Sequence, residues 1–361
     1  MTTRVSTRDW IPDPEYARVL KIDGPEIVNF EDQVKLFQAG EKDEIEFLRF
    51  RLRQGVYGQR QPDRQMIRVK VPFGGITAHQ MDVLGEVAEK YAPLKKGHFT
   101  TRENVQYHHV PLEQTSELLR LIGDAGLSTR EACGNVVRNV VASPEAGVSK
   151  DEVFDVTPYS AAYARYFLRH PTTQNMPRKS KVAFSGSEKD EAMVLMHDLG
   201  MIARVRDGKR GFKLVIGGGL SISPMMAETL SEFVPVEHFL KHCEAVLRIF
   251  NRQDEERKSI MKARIKYTVA RFGIEKFREM VDEELDGEWA KKEIDLDSLM
   301  FVDDEEADAP GVPADATPEP SGDAAYNEWK RTNVVEQRHA GFNIVYVRVE
   351  RGDVFADQWF Q

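Results

Sequence analysis

Several cations in this chain sit where a solvated charge has little reason to be. Arg138 lies between apolar flanks in STREACGNVVRNVVASP (128–144), a setting that aims it inward. Lys179 and Lys181 are two apart in MPRKSKVAFS (176–185), so on a strand both ammonium groups point to one side, with Arg178 at the entrance. Arg68 and Lys70 alternate with Ile67, Val69 and Val71 in MIRVKV, and Arg102 occupies the polar turn of GHFTTRENVQYHH (97–109). Converging cations repel, each close like-charge pair costing on the order of 1 kcal/mol at high effective dielectric, unless an anion binds among them. Such a set predicts a polyanionic ligand. Taken singly, each has an ordinary reading: a snorkelling arginine at a strand edge for Arg138, a solvated strand face for the two lysines.

The elements that must position these residues can be read from periodicity. After a polar extension (1–50), with a short helix expected around Phe30–Gln38, loop residues give way to the alternating strand MIRVKV. Thr77 and Gln80 form a capping box, and Met81, Leu84, Val87, Ala88 and Tyr91 then recur with helical spacing. Strands FTT and NVQYHHV follow, then a helix over Glu113–Asp124 ended by Gly126. The order βαββα predicts a ferredoxin-like half-domain over 51–126. Residues 127–285 read as a larger mixed α/β unit: a helix over Pro158–Arg169 stopped at His170-Pro171, strands KVAFS, MIARV and FKLVI, then several helices from Pro224 to Leu285, Val236–Phe250 the clearest. The fold class expected is α+β. Residues 286–330, acidic and rich in Pro and Ala, read as a flexible linker. Beyond it, QRHAGFNIVYVRV (337–349) lies on QRQPDRQMIRVKV (59–71) without a gap, so 331–361 reads as the start of a second, incomplete ferredoxin-like half-domain.

Composition narrows the function. At 361 residues and 41% hydrophobic content the chain can build two cores. The net charge of −9 argues against general nucleic-acid binding. It is unevenly spread: 282–308 holds thirteen carboxylates against two lysines, a local −11 that leaves +2 for the remainder. No run approaches a membrane span and the N-terminus lacks a signal-peptide core, so a soluble, cytoplasmic protein without a membrane partner is expected. Two cysteines, Cys133 and Cys243, exclude a four-cysteine metal or cluster site within this chain, and no metal-ligand set is expected in it. Gly217-Gly218-Gly219 reads as a tight turn or a phosphate cradle, without a full nucleotide-binding motif around it.

In combination and in order, TTRENVQYH, GNVVRNV, PRKSK and GFKLVIGGGLS resemble the siroheme-binding half of the assimilatory sulfite and nitrite reductases, over roughly residues 50–285. The resemblance implies an oxidoreductase that carries out the six-electron reduction of sulfite to sulfide or nitrite to ammonia at siroheme, a macrocycle with eight carboxylates, and makes 127–285 its siroheme-binding domain. It implies substrate-face roles for Arg68, Arg138, Lys179 and Lys181. Thr100, Arg102, Gln106, Asn139 and Arg178 are implied as siroheme contacts, together with a basic helix bearing Lys262, Arg264 and Lys266. The family also carries a [4Fe-4S] cluster on cysteines in its second half, as C-x5-C and C-x3-C pairs that this chain lacks. A separate C-terminal half and an electron donor, ferredoxin or an NADPH-linked flavoprotein, are the partners implied. Two other readings stand beside this one: a non-catalytic remnant or partner subunit that keeps the anion-binding fold, and an unrelated anion or RNA-binding module, which would lack aromatic stacking pairs on its strands.

Overall fold

The structure, a computed structural model, describes residues 22, 24–300, 322–339 and 341–360. Residues 1–21 and 23 of the polar extension and the 301–321 part of the expected linker lie outside the described residues. The first unit opens with helices α1 (Gly24–Gln38) and α2 (Glu44–Arg53), the latter capped by Asp43 Oδ1, which accepts from the amides of Ile45 and Glu46. Strands β1 (Val56–Gly58) and β2 (Arg64–Lys70), helix α3 (Ala78–Lys90), strands β3 (Lys96–Phe99) and β4 (Asn104–Pro111) and helix α4 (Thr115–Asp124) follow. The strands pair antiparallel in the order β1-β2-β4-β3. The capping box at Thr77 is present, Gln80 N donating to Thr77 Oγ1 and Thr77 N to Gln80 Oε1. Alternation turns Ile67, Val69 and Val71 into a core packed by α3 and α4, and buried Tyr107 donates its hydroxyl to Leu84 O at 2.7 Å. Of the two cations on the other face, Arg68 reaches a cleft. Lys70 is buried beneath the loop at Ser128, and burial lowers its ammonium pKa to about 8.

The second unit is a five-stranded sheet built from β5 (Val137–Ala142), helix α5 (Thr157–Phe167), β6 (Ser180–Ser185), β7 (Leu199–Arg206), β8 (Lys209–Ile216) and β9 (Glu228–Pro235). Strands β5, β6 and β7 are parallel, and β8 and β9 add antiparallel. The β7–β8 hairpin turns at Asp207 and Gly208, both with positive φ, the chemistry a two-residue hairpin requires. Helices α6 (Phe239–Asn251), α7 (Asp254–Arg257), α8 (Ile265–Phe272), α9 (Ile274–Leu285) and α10 (Leu296–Leu299) complete it, around a core of edge-to-face rings from Phe154, Tyr159, Phe184 and Phe212. The all-helical expectation after Pro224 is corrected by β9. The expected linker is corrected at its start: Ala290 and Leu299 are buried, and Arg165 Nη1 donates to Leu299 O at 2.5 Å. None of the described helices is long and apolar enough to cross a membrane.

After a helix at Ala324–Asn333 and a small hairpin of β10 (Val334–Glu336) and β11 (Asn343–Val345), strand β12 (Asp353–Phe355) does not begin a sheet of its own. It pairs antiparallel with β3 as the fifth strand of the first sheet. Asp353 accepts from Lys96 Nζ at 2.7 Å and lies 3.1 Å from His98 Nδ1. The following turn of helix, Ala356–Trp359, seats Trp359 where two glycines leave room. A Cβ at Gly85 would lie 2.7 Å from Trp359 Cβ, and one at Gly97 2.9 Å from its Cζ2. Trp359→Ala should therefore destabilise the chain by about 3–5 kcal/mol, the range for deleting a buried large aromatic. Urea unfolding followed by far-UV circular dichroism checks this; an unchanged midpoint would show that the segment does not contribute to the core.

Candidate functional site

The site is built on a seam between the two sheets. The β3–β4 turn is drawn tight by Thr100 Oγ1, which accepts from the amides of Arg102 and Asn104, each at 3.2 Å. This aims Arg102 across the gap, where Nη2 donates to Asn139 O on β5 at 2.6 Å and to Val182 O on β6 at 3.4 Å. Asn139 answers from the other side, its Nδ2 within 2.7 Å of Val71 O and 3.0 Å of the Arg102 and Glu103 carbonyls. Buried Arg102 Nε and Asn139 Oδ1 are left without a partner among the described residues.

Two adjoining clefts open along this seam, and Arg178 and Lys179 line both. The first, of about 890 Å³, is walled by Arg49, Arg53, Arg68, Arg138, Arg178 and Lys179 with no carboxylate among its lining residues. Arg68 Nη2 donates to Gln106 Oε1 at 2.9 Å, and Arg68 and Arg138 both donate to Ala132 O, at 3.2 and 2.9 Å. Arg138 Nε also donates to Gly134 O at 3.0 Å. Neutral carbonyls orient these guanidiniums without neutralising them.

The second cleft, of about 800 Å³, is lined by Thr100, Arg102, Arg178, Lys179, Lys181, Arg264 and Lys266, with Glu103 and Glu191 as its carboxyl groups. Met193, Leu220, Ile222, Ile260 and Met261 supply an apolar part of the same lining. The side chains of Arg178, Lys179 and Lys181 meet no acceptor among the described residues. Burial, then the neighbouring Arg138 and Lys181, lowers Lys179 to about 8; burial, then Arg102 and Arg264, lowers Lys181 to about 8. Burial also lowers Arg102 and Arg138 to about 10, so both stay charged at neutral pH.

The basic stretch at 262–266 divides. Arg264, at the N-cap of α8, is held by Asp198, a fully buried carboxylate that accepts from its Nε at 2.8 Å and Nη2 at 2.5 Å and from Lys181 N at 2.7 Å. Lys266 is buried and donates to the carbonyls of Leu220 at 3.0 Å and Ser223 at 2.5 Å, fixing the apolar lip. Lys262 is exposed on the preceding turn Ile260–Lys262 and does not line the cleft. The expected basic helix is thus corrected: only Lys266 lies within one. The glycine run serves close packing, since a Cβ at Gly218 would lie 2.3 Å from Leu195 O.

Sequence reasoning missed Arg49 and Arg53, although their four-residue spacing on α2 was a readable signal. It also missed Asp198, the apolar lip, Glu103, whose carboxyl burial pushes up to about 8, and His197, lowered to about 4 by burial. A cleft lined by both cations and apolar side chains suits a flat, amphipathic polyanion, and the adjoining cleft, whose charged lining is wholly cationic, suits a small oxyanion.

Comparison with known proteins places this geometry. Residues 133–288 match the model for the nitrite and sulphite reductase 4Fe-4S domain, and residues 57–125 the nitrite/sulfite reductase ferredoxin-like half domain. The chain is 37% identical over 220 residues to the protein named sulfite reductase [ferredoxin] 1 of Mycolicibacterium paratuberculosis, which covers 61% of this chain and 39% of that protein. It is 29% identical over 232 residues to the ferredoxin–nitrite reductase of Leptolyngbya laminosa, 61% of this chain and 44% of that one. The chain spans about two fifths of the length of the curated relatives it matches. Among solved structures, the NirA protein of Mycobacterium tuberculosis superposes with a TM-score of 0.72 at 27% identity, over 93% of this chain and 60% of that one. Two matched segments that meet at the seam, and a backbone shared along nearly the whole chain, show that this protein belongs to the nitrite and sulfite reductase family.

Proposed function

We propose that this chain forms the siroheme- and substrate-binding half of a reductase that converts sulfite to sulfide, or nitrite to ammonia, and that it works with a second half carrying the [4Fe-4S] cluster. The observation that carries the reading is a cluster of cations without acceptors among the described residues, Arg178, Lys179 and Lys181, near Arg68 and Arg138 and in a cleft that apolar side chains also line. These residues fit siroheme: the unpartnered donors suit its carboxylates, and Leu220, Ile222, Ile260 and Met261 suit its apolar face. Siroheme, when bound, supplies the redox chemistry at its iron. Arg102, Arg178, Arg264 and Lys266, with Thr100, Gln106 and Asn139, hold or brace it in this reading.

Arg68, Arg138, Lys179 and Lys181 attract the anionic substrate, lower the cost of bringing it to an electron-rich centre, and stabilise charge as its oxygens leave. Lysines with a pKa of about 8 also hold a transferable proton near neutral pH. The cluster does not fit this chain's own residues. It takes four thiolates, whereas Cys133 sits in the cationic cleft and Cys243 in the core of the second unit, where burial pushes its thiol up. Sulfite is the preferred substrate, because the relatives named sulfite reductases reach 34–37% identity and those named nitrite reductases 29–32%. Ferredoxin, printed in those names, is the favoured electron donor over an NADPH-linked flavoprotein.

Co-expression with a cluster-bearing second half should yield a siroheme protein by absorption spectroscopy. In it, Arg138→Ala or Lys179→Ala should lower sulfite turnover by about 100-fold or more while moving the melting temperature little. Wild-type turnover with siroheme retained would sink the substrate-face assignment. Anion binding should also follow the lysine charge. Deprotonation removes that charge as pH rises through about 8, so affinity for sulfate, whose own charge is constant there, should be full near pH 7 and weaken toward pH 9. Calorimetric titration checks this, and the double variant Lys179→Gln, Lys181→Gln should flatten the profile.

A further inference from the structure

Two carboxyl groups line the second cleft, and they are held differently. Glu191 accepts from Ser143 Oγ at 3.2 Å. Glu103, the residue before β4, has a positive φ of 52° and seats its carboxyl over the turn Pro72–Gly74, where a Cβ on Gly74 would lie 3.4 Å from Glu103 Cδ. Its Oε2 accepts from Ala142 N at 3.4 Å, a long contact and the carboxyl's one hydrogen bond among the described residues. The cations of the cleft leave it alone: Arg102, Arg178, Lys179, Lys181, Arg264 and Lys266 form no ion pair with it among the described residues. Arg102 is its chain neighbour, yet that guanidinium is turned to Asn139 O and Val182 O.

A carboxylate in that seat would be buried with no counter-ion and one weak donor, an arrangement that costs far more than taking up a proton. Burial accordingly pushes the Glu103 carboxyl up to about 8, and the Ala142 amide and the Arg102 charge pull the other way without offsetting it. The segments it rests on, Pro72–Gly74 and the end of β5 at Ala142, carry no ionisable side chain. Glu191 and His197 are the remaining titratable groups that line the cleft with it. At neutral pH Glu103 is therefore a carboxylic acid. With Oε2 receiving the Ala142 amide, the proton is carried by Oε1, in a side chain that lines the cleft.

We propose that Glu103 is a ligand-binding residue that acts as a neutral carboxylic acid and donates its hydrogen to one carboxylate of siroheme. This rests on the siroheme reading above and adds to it a donor of the residue type that would ordinarily repel such a ligand. Two carboxyl groups that share one proton attract, and the same two without it repel. The acid thus adds a contact to the polycarboxylate without adding negative charge to the cleft. As pH rises through the acid's titration the donor becomes a like charge, and the grip on the ligand loosens. Lys179 and Lys181 lose their charge over the same range, so the two effects act in one direction and must be separated by substitution.

Two measurements on the full chain test this. The first is infrared difference spectroscopy of the wild type against Glu103→Gln, without ligand. At pH 7 the difference should contain the C=O stretch of a protonated carboxylic acid, giving way to carboxylate bands by pH 9; carboxylate bands alone at pH 7 would overturn the proposal. The second is fluorescence titration with uroporphyrin, a metal-free tetrapyrrole with as many carboxylates as siroheme. Glu103→Gln keeps a donor and loses the titration, so it should bind within about twofold of the wild type at pH 7. At pH 9, where about a tenth of the wild-type acid keeps its proton, Glu103→Gln should bind about tenfold more tightly than the wild type. Glu103→Ala, which removes the donor, should weaken binding about tenfold at pH 7. Wild type and Glu103→Gln weakening in parallel up to pH 9 would overturn the proposal and spare the siroheme reading. Uroporphyrin binding by neither protein would overturn the siroheme reading, and with it the partner assigned to Glu103.

Discussion

The site depends on one constraint: Arg102 must be buried between two sheets with no carboxylate to receive it. An isolated buried cation is strongly unfavourable unless oriented dipoles replace its water. Here backbone carbonyls of β5 and β6 do so, and Asn139 returns the favour to carbonyls of the turn that carries Arg102. Each sheet therefore supplies acceptors for a side chain of the other. That reciprocity fixes the distance between the ferredoxin-like unit and the mixed sheet, and with it the spacing of Arg68 from Arg138, Lys179 and Lys181.

Negative charge is distributed just as selectively. Asp198 is committed to Arg264 and to the amide of Lys181, which holds the start of β6 in place while leaving the Lys181 ammonium free. The unpaired cations persist because carbonyls and carboxylates nearby are already engaged elsewhere. Local backbone strain accompanies them. Glu103, Met193 and Ser221, all lining the second cleft, have positive φ, a conformation that costs about 1–2 kcal/mol for a residue with a Cβ. The packing of the two large cores is what holds such residues in position.

Much of this was legible in the sequence because period-two and helical spacing are strong signals. Ile67, Val69 and Val71 identified β2, Thr77 and Gln80 identified α3, and the alternation around Lys179 and Lys181 brought Lys181 of β6 and Lys179, one residue before that strand, to the same cleft. Strand β9 was missed because only Leu230 and Val234 on it are buried, and the long helix after it dominates the local pattern. Lys262, Arg264 and Lys266 were placed on one helix by proximity, yet spacing of two does not share a helical face, and the turn before α8 separates Lys262 from the rest. The seam itself leaves no sequence signature, since its acceptors are carbonyls that every residue carries. The destination of β12 was equally hidden, because a strand's sequence does not say which sheet's edge it will join.

That destination bears on how the protein is made. Lys96 and Asp353 are 257 residues apart, so β3 is synthesised long before the strand that covers it. At translation rates of roughly 5–20 residues per second, its edge and the glycine cradle under Trp359 stay open for about 15–50 s on the ribosome. During that interval the nascent chain presents a bare strand edge beside an unfilled apolar notch, the kind of surface that chaperones bind and aggregates recruit. Residues 353–359 therefore act as a late-arriving closure, and the sheet that holds β3 stays unfinished until they emerge.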